Sequence, residues 1–262
     1  MTRRELFLKP LKETSESETF LPYAQKVIDE LPEYVFYVPA ASSGKFHNKN
    51  ELGDFGLCRH MIGTMKIMNY LLSLDMYRNN FSPDERDLLR ISALFHDGMK
   101  SGTQSDYEQN LQTKFNHPIL MANFIAKMNH PLVNESQTKF ICDNIASHMG
   151  QWNTSTRNPE IVLPTPSTLA QQLTHLSDYF ASRTDVTITF EPEYFPEPDI
   201  AGIKERLIEK CRDMLSAGIS RDEIIEVFAK HNGGKKNPNS VESYSVAGVI
   251  FNTLTALEIK YA

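Results

Sequence analysis

"SPDERDLLRISALFHDGMK", residues 82–100, reads as one helix with a change of chemistry at its end. Ser82, Pro83 and Glu85 form a start signal. A serine caps free N–H groups, a proline at the first helical position loses no hydrogen bond, and a glutamate three residues after the cap closes a capping box. The stretch then runs apolar to Phe95 and stops at Gly98, a residue suited to the left-handed conformation common just past a helix end. His96 and Asp97 stand at that end, with Lys100 three residues beyond the aspartate. Neighbouring residues diverge on a regular helix, but where the backbone leaves the helix both side chains can reach one ion.

Helical patterns continue on both sides. Residues 23–34, "YAQKVIDELPEY", place Val27, Ile28 and Leu31 on neighbouring faces and end at Pro32; residues 57–77 repeat Met61, Met65, Met68 and Leu72 at three and four. Further helices are predicted from His117-Pro118 onward, over 135–149 and over 167–183. The stretches 38–56 and 150–166 read as loops from their Gly, Ser, Asn and Pro content. After Arg183, "TDVTITFEPEYF" alternates β-branched and polar residues, which predicts a short strand or β hairpin. The expected fold is mainly α: a helical bundle over residues 21–192, preceded by a polar, loosely held arm at 1–20. A small helical extension at 193–262 follows, containing the turn-rich, basic loop "KHNGGKKNPNS".

The 262 residues are 40% hydrophobic and 23% charged, enough for a buried core. No apolar run approaches the roughly 20 residues that cross a bilayer, so no membrane role is expected. The N-terminus lacks the apolar stretch of a secretory signal, which makes the cytoplasm the expected location. Cys58, Cys142 and Cys211 are too few and too far apart for a disulfide framework or a zinc knuckle, and reduced thiols are expected. A net charge of −6 argues against a strong duplex nucleic-acid surface. It leaves room for a small nucleotide, or for a single strand entering a cleft whose divalent cations reverse the local potential.

Six histidines lie between residues 47 and 148, and His175 precedes Asp178 by three. Each alone could be an ordinary hydrogen-bonded histidine. His60 and His117 stand near predicted helix starts, His96 and His148 near ends, so a bundle can turn them toward a common mouth, with Asp97 and Asp178 as carboxylates. Imidazole and carboxylate together suit Mn, Fe, Co, Ni and Zn, and such ions lower the pKa of bound water until it becomes a nucleophile.

The order His60, His96-Asp97, Asp178 resembles the H…HD…D signature of the HD-domain metal-dependent phosphohydrolases. "HDGMK" resembles that family's HD-x-x-K, "FNHPILMANFI" its HP-x-x-x-A helix, and "IASHMGQW" the segment of its fourth histidine. "VPAASSGKFHNKNELGDFGLCRH" is similar to the opening of a branch that includes bacterial 3′→5′ exoribonucleases and relaxase-associated HD domains. The resemblance implies that His60, His96, Asp97 and Asp178 hold one divalent ion, and that Asp97 bridges to a second held by His117 and His148. The ions would be Mn, Fe, Co, Ni or Mg. Ser147 and Met149 flank His148 where HD-GYP phosphodiesterases have consecutive histidines, and the GYP motif is absent, which weighs against cyclic di-GMP.

The remaining candidates have two readings each. Lys100 is either a phosphate contact or a solvated lysine; Arg183 is a bidentate phosphate contact or half of a local salt bridge. His47 either serves the leaving group or has no role. Trp152 stacks on a base or fills the core. The activity implied is hydrolysis of a phosphate ester in a nucleotide or oligonucleotide, the partner expected here. The alternatives are a 3′→5′ nuclease on single strands and a nucleotide-sensing module without strong catalysis.

Overall fold

The structure is a computed structural model that describes residues 1–40, 49–51, 53–109, 113–156, 158–195, 212–220 and 223–224. The chain divides into two compact units, residues 1–196 and 197–262. Among the described residues of the second unit, 212–216 are helical, and the Ser220 hydroxyl accepts the Glu223 N–H at 3.3 Å. Of the expected C-terminal extension, residues 193–195 belong to the first unit, and 196–211, 221–222 and 225–262 lie outside the described residues.

The first unit is a helical bundle. In chain order it contains α1 (Arg3–Thr14), α2 (Leu21–Glu30), α3 (Gly56–Ser73), α4 (Asp75–Arg78), α5 (Pro83–Phe95), α6 (Gln104–Gln109), α7 (His117–Ala126), α8 (Glu135–Ala146) and α9 (Leu169–Ala181). Among the described residues the only β pairings are isolated bridges, His130 with Val133 and Thr154 with Val162. No helix among them is long and apolar enough to cross a membrane.

Helix α5 is the axis of the bundle. It packs against α3, α8 and α9, while α7 lies along α8. Its start is the predicted capping box, with the Ser82 hydroxyl accepting the Glu85 N–H and the Glu85 carboxylate accepting the Ser82 N–H. Every residue from Arg86 to Phe95 is buried, so even its polar positions need partners within the fold. That central course carries His96 and Asp97 into the interior instead of to a surface helix end.

Three expectations are corrected. Gly98 is not left-handed: positive φ among the described glycines occurs at 53, 102, 150 and 218. The chain instead continues in tight right-handed turns, with Gly98 N–H bonded to the Phe95 carbonyl at 2.9 Å and Lys100 N–H to that of Asp97 at 3.0 Å. Glycine at 98 gives room to the ends of two core side chains, since a Cβ there would lie 2.9 Å from Leu31 Cδ2 and 3.0 Å from Met121 Sδ.

Residues 1–20 are not a loose arm. They contain α1, capped by Thr2 and Glu5, whose Leu6, Phe7, Leu8 and Leu11 join the main core. Arg3 pairs through both terminal nitrogens with Asp54, at 2.9 and 2.5 Å.

The segment after Arg183 forms no hairpin. Its backbone carbonyls are satisfied by side chains where a hairpin would use a partner strand: Asn50 donates to Ile188 at 3.3 Å, Lys66 to Thr189 at 2.9 Å and Arg59 to Tyr194 at 3.0 Å. Ile188 and Tyr194 are buried, so the β-branched and aromatic residues serve to lay an extended strap along α3.

Candidate metal centre

Five segments meet where α5 ends. His60 comes from the second turn of α3, His96 and Asp97 from the end of α5, and His117 from the first position of α7. His148 stands just past α8 and Asp178 in α9. His60, His96, Asp97 and His148 are at most 1% exposed, His117 3%. The Asp178 side chain is 19% exposed and marks the side on which the centre reaches solvent.

The histidine tautomers are set by the backbone. Nδ1 of His96, His117 and His148 lies 2.8, 2.7 and 2.8 Å from the carbonyls of Ala93, Lys114 and Ile145. A carbonyl only accepts, so each Nδ1 carries a proton and each ring turns its Nε2 inward. These nitrogens crowd one another: Nε2 of His96 is 3.3 Å from Nε2 of His60, and Nε2 of His117 is 3.3 Å from that of His148.

Asp97 stands between the two pairs. Its Oδ2 lies 3.5 Å from Nε2 of both His60 and His96, and its Oδ1 lies 2.8 Å from His117 Nε2 and 3.7 Å from His148 Nε2. Oδ1 is buried and accepts no hydrogen bond, although His117 is so near, as two facing lone pairs require. Asp178 Oδ1 adds a further anion 3.1 Å from His60 Nε2 and 3.5 Å from His96 Nε2. Convergent imidazole nitrogens and carboxylate oxygens fit a cation. Three overlapping sets each have ligand atoms within 4.8 Å of one another: His60, His96 and Asp97; His96, His148 and Asp178; and Asp97, His117 and His148.

The same field appears in proton affinities. Burial opposes a charge on His60, but the Glu51 and Asp178 carboxylates raise its pKa to about 10. Burial likewise opposes charge on His96, and Asp97 and Asp178 raise it to about 9. His148 is lowered to about 3, by burial and by repulsion from His96, so its ring is neutral at ordinary pH. Burial would raise Asp97, yet the Lys100 ammonium holds the carboxyl well below its usual range. The half containing His60 and His96 is thus the more anionic of the two.

Lys100 turns inward and its Nζ donates to Asp97 Oδ2, with 14% of the side chain exposed, so it is not a free surface lysine. Arg183 lies over the Tyr179 ring, 4.6 Å from the centroid, and donates to Ser182 Oγ; the salt bridge offered as its alternative role is not among its contacts. Trp152 is 45% exposed and stacks on Tyr179, so it does not fill the core. His47 lies outside the described residues.

Sequence reasoning missed Glu51. It is 1% exposed and its Oε2 faces His60 Nδ1 at 3.3 Å, giving this histidine a carboxylate where the other three have carbonyls. Nothing in the aperiodic "KNELGDFG" signals it; only the chain's return past the start of α3 brings it there. Glu51→Gln keeps the size and removes the charge. It is expected to weaken divalent-metal affinity by roughly 10- to 100-fold with little change in the melting temperature of the chelated protein, measured by calorimetric titration with Mn²⁺. Equal Mn²⁺ affinity in parent and variant would remove Glu51 from the centre.

An α-helical bundle that gathers four histidines and two aspartates at its middle defines a protein suited to holding divalent cations. Residues 57–183 match the family model of the HD domain, and this domain belongs to the HD-domain metal-dependent phosphohydrolase superfamily. No curated protein and no solved structure matches the chain. HD domains bind divalent metals and are generally phosphohydrolases.

Proposed function

We propose that the chain hydrolyses a phosphate ester of a nucleotide or small oligonucleotide with two divalent ions. His60, His96, Asp97 and Asp178 would hold the first, and Asp97, His117 and His148 the second. The observation that carries this reading is Asp97, whose two oxygens face two separate histidine pairs. Bound divalent ions supply Lewis acidity, which polarises phosphoryl oxygens and lowers the pKa of water.

The chain's own groups do the rest. The carbonyls of Ala93, Lys114 and Ile145 hold Nδ1 of the three imidazoles as the donor and leave Nε2 for a metal, so uptake needs no change of tautomer, only the release of any proton on Nε2. Lys100, anchored on Asp97, brings a positive charge next to the centre for the oxygens on which charge builds during displacement. Water adds across the ester, its oxygen going to phosphorus and a proton to the departing alkoxide, which solvent reaching the Asp178 side can supply.

Purified full-length protein with Mn²⁺ is to be incubated with nucleoside mono-, di- and triphosphates, cyclic dinucleotides and end-labelled single strands. Turnover of one or more small nucleotides is the expected result. Shortening of strands without nucleotide turnover would select the 3′→5′ nuclease, and metal binding with nucleotide affinity but no hydrolysis would select the sensing module.

A further inference from the structure

Trp152 is the only tryptophan of the chain, yet it is 45% exposed. A large indole ordinarily gains by burial, so an exposed and rigidly held one needs a reason. It is rigidly held here. Its ring lies nearly parallel to that of Tyr179, 14° between planes and 5.4 Å between centroids, and tilted at 58° against His175 at 6.0 Å.

His175 is in turn fixed. Its Nδ1 donates to the His148 carbonyl at 2.8 Å, and Gly150, with φ +57°, passes so close that a Cβ there would lie 2.1 Å from His175 Cε1. The Arg183 guanidinium sits over the same Tyr179 ring, and its buried Nε has no hydrogen-bond partner. Phe180, 37% exposed, meets Tyr179 edge-on at 5.7 Å.

This aromatic shelf is tied to the metal centre twice. Trp152 follows His148 by four residues, within at most about 14 Å of backbone reach, and Tyr179 follows Asp178 directly. His175 and Tyr179 flank Asp178 on α9, and the Asp178 side chain is 19% exposed. A ligand serving both features needs a flat π face and, a short distance away, an anionic group for the cations.

We propose that the outer face of Trp152, backed by Tyr179, is a platform for one nucleobase of the ligand. The proposal rests on the phosphohydrolase reading for the phosphate end only; the base contact stands on the stack itself. A duplex hides its base faces, so the occupant is a mononucleotide or an unpaired base of a single strand. Arg183, over the Tyr179 ring, stiffens the tyrosine beneath the indole. Trp152 and Tyr179 act by stacking, so they tolerate different bases and do not read an edge.

Because Trp152 is the sole indole, emission excited at 295 nm reports this face and nothing else. Full-length protein with Mg²⁺ is titrated with adenosine, with adenosine 5′-O-thiomonophosphate and with ribose 5-phosphate. Saturable quenching by the two adenine compounds, tighter for the thiophosphate, with no quenching by ribose 5-phosphate, is expected. The same response to ribose 5-phosphate as to the adenine compounds, or no saturable response to either adenine compound, overturns the platform, whether or not the enzyme turns anything over.

Where a nucleotide is hydrolysed, Trp152→Ala is expected to lower the preference for that nucleotide over ribose 5-phosphate by roughly 5- to 150-fold, the equivalent of one lost base stack. Most of the change falls in KM, and Trp152→Phe recovers most of it. An unchanged preference in Trp152→Ala overturns the platform but leaves the phosphohydrolase reading intact. Absence of turnover with every substrate sinks that reading instead and leaves the quenching result to decide the platform.

Discussion

Asp97→Asn is expected to abolish turnover and to strip the protein of both divalent ions while leaving it folded. The substitution keeps the shape of a fully buried side chain, so no cavity opens. The fold has reason to accept it, because an amide N–H can be donated to an Nε2 lone pair such as that of His117, 2.8 Å away, where the parent has two electron-rich atoms facing each other. The centre has no comparable tolerance. Asp97 is the one residue whose separate oxygens face both histidine pairs, and its negative charge offsets the ammonium of Lys100.

Without that charge, Lys100 stands as an uncompensated cation beside His60 and His96, which repels metal from the half that otherwise attracts it most. The loss should therefore exceed the roughly 10- to 100-fold typical of a partner behind a ligand, such as Glu51. Metal content by mass spectrometry falls from two ions per chain toward none. His148→Ala, by contrast, removes a ligand from one half and should leave one ion bound. If Asp97→Asn carried metal in the parent's stoichiometry and hydrolysed nucleotides at the parent's rate, both the bridging role and the proposed activity would be wrong.

How much of this was legible in the sequence depends on how local the cause is. The start of α5 was legible because a capping box is written in four consecutive positions, and the metal centre was legible because its ligands form an ordered set of uncommon residue types. Helix α1 was not, because the polar run "KETSESET" and Pro10 within the helix hid the apolar cluster from Leu6 to Leu11. The strap after Arg183 was misread for a different reason. Alternating β-branched residues report an extended backbone with one buried face, and say nothing of whether its carbonyls will be met by a strand or by Asn50, Lys66 and Arg59. Glu51 against His60, and Trp152 on Tyr179, are contacts between distant segments with no periodic signature, so only the folded chain brings them out.

The largest stability effect is expected at Asp87, which fixes the N-terminal helix to the axis of the bundle. This carboxylate is wholly buried and accepts the backbone N–H groups of Glu16 and Ser17, each at 2.9 Å, together with the Arg90 guanidinium at 2.6 Å. Glu16 completes the network by pairing with Arg86 and, at 3.2 Å, with Arg90. Two carboxylates and two guanidiniums thus balance in a nearly closed site between α1 and α5. Asp87→Ala leaves two N–H groups unpartnered and the arginines in excess, a loss of about 3–5 kcal/mol, against a total stability on the order of 5–15 kcal/mol.

The surface pair Lys139–Asp143 is the control, since both side chains are well exposed and Asp143→Ala should cost less than about 1 kcal/mol. Urea unfolding followed by circular dichroism compares the two; an Asp87→Ala midpoint no lower than that of Asp143→Ala would mean that the network carries no net stability. The acid limb provides a second check. The Arg86 hydrogen bond outweighs burial and lowers the Glu16 pKa to about 2. Its contribution is therefore complete above the unfolded carboxyl's pKa of about 4.3 and disappears as the pH falls toward 2. In Asp87→Ala, Glu16 is the carboxylate left to offset both guanidiniums, so unfolding should begin at a higher pH than in the parent. Asp87 and Asp97 lie on the same continuous stretch of chain, so loosening α1 from α5 loosens the element that presents the carboxylate proposed to bridge the ions.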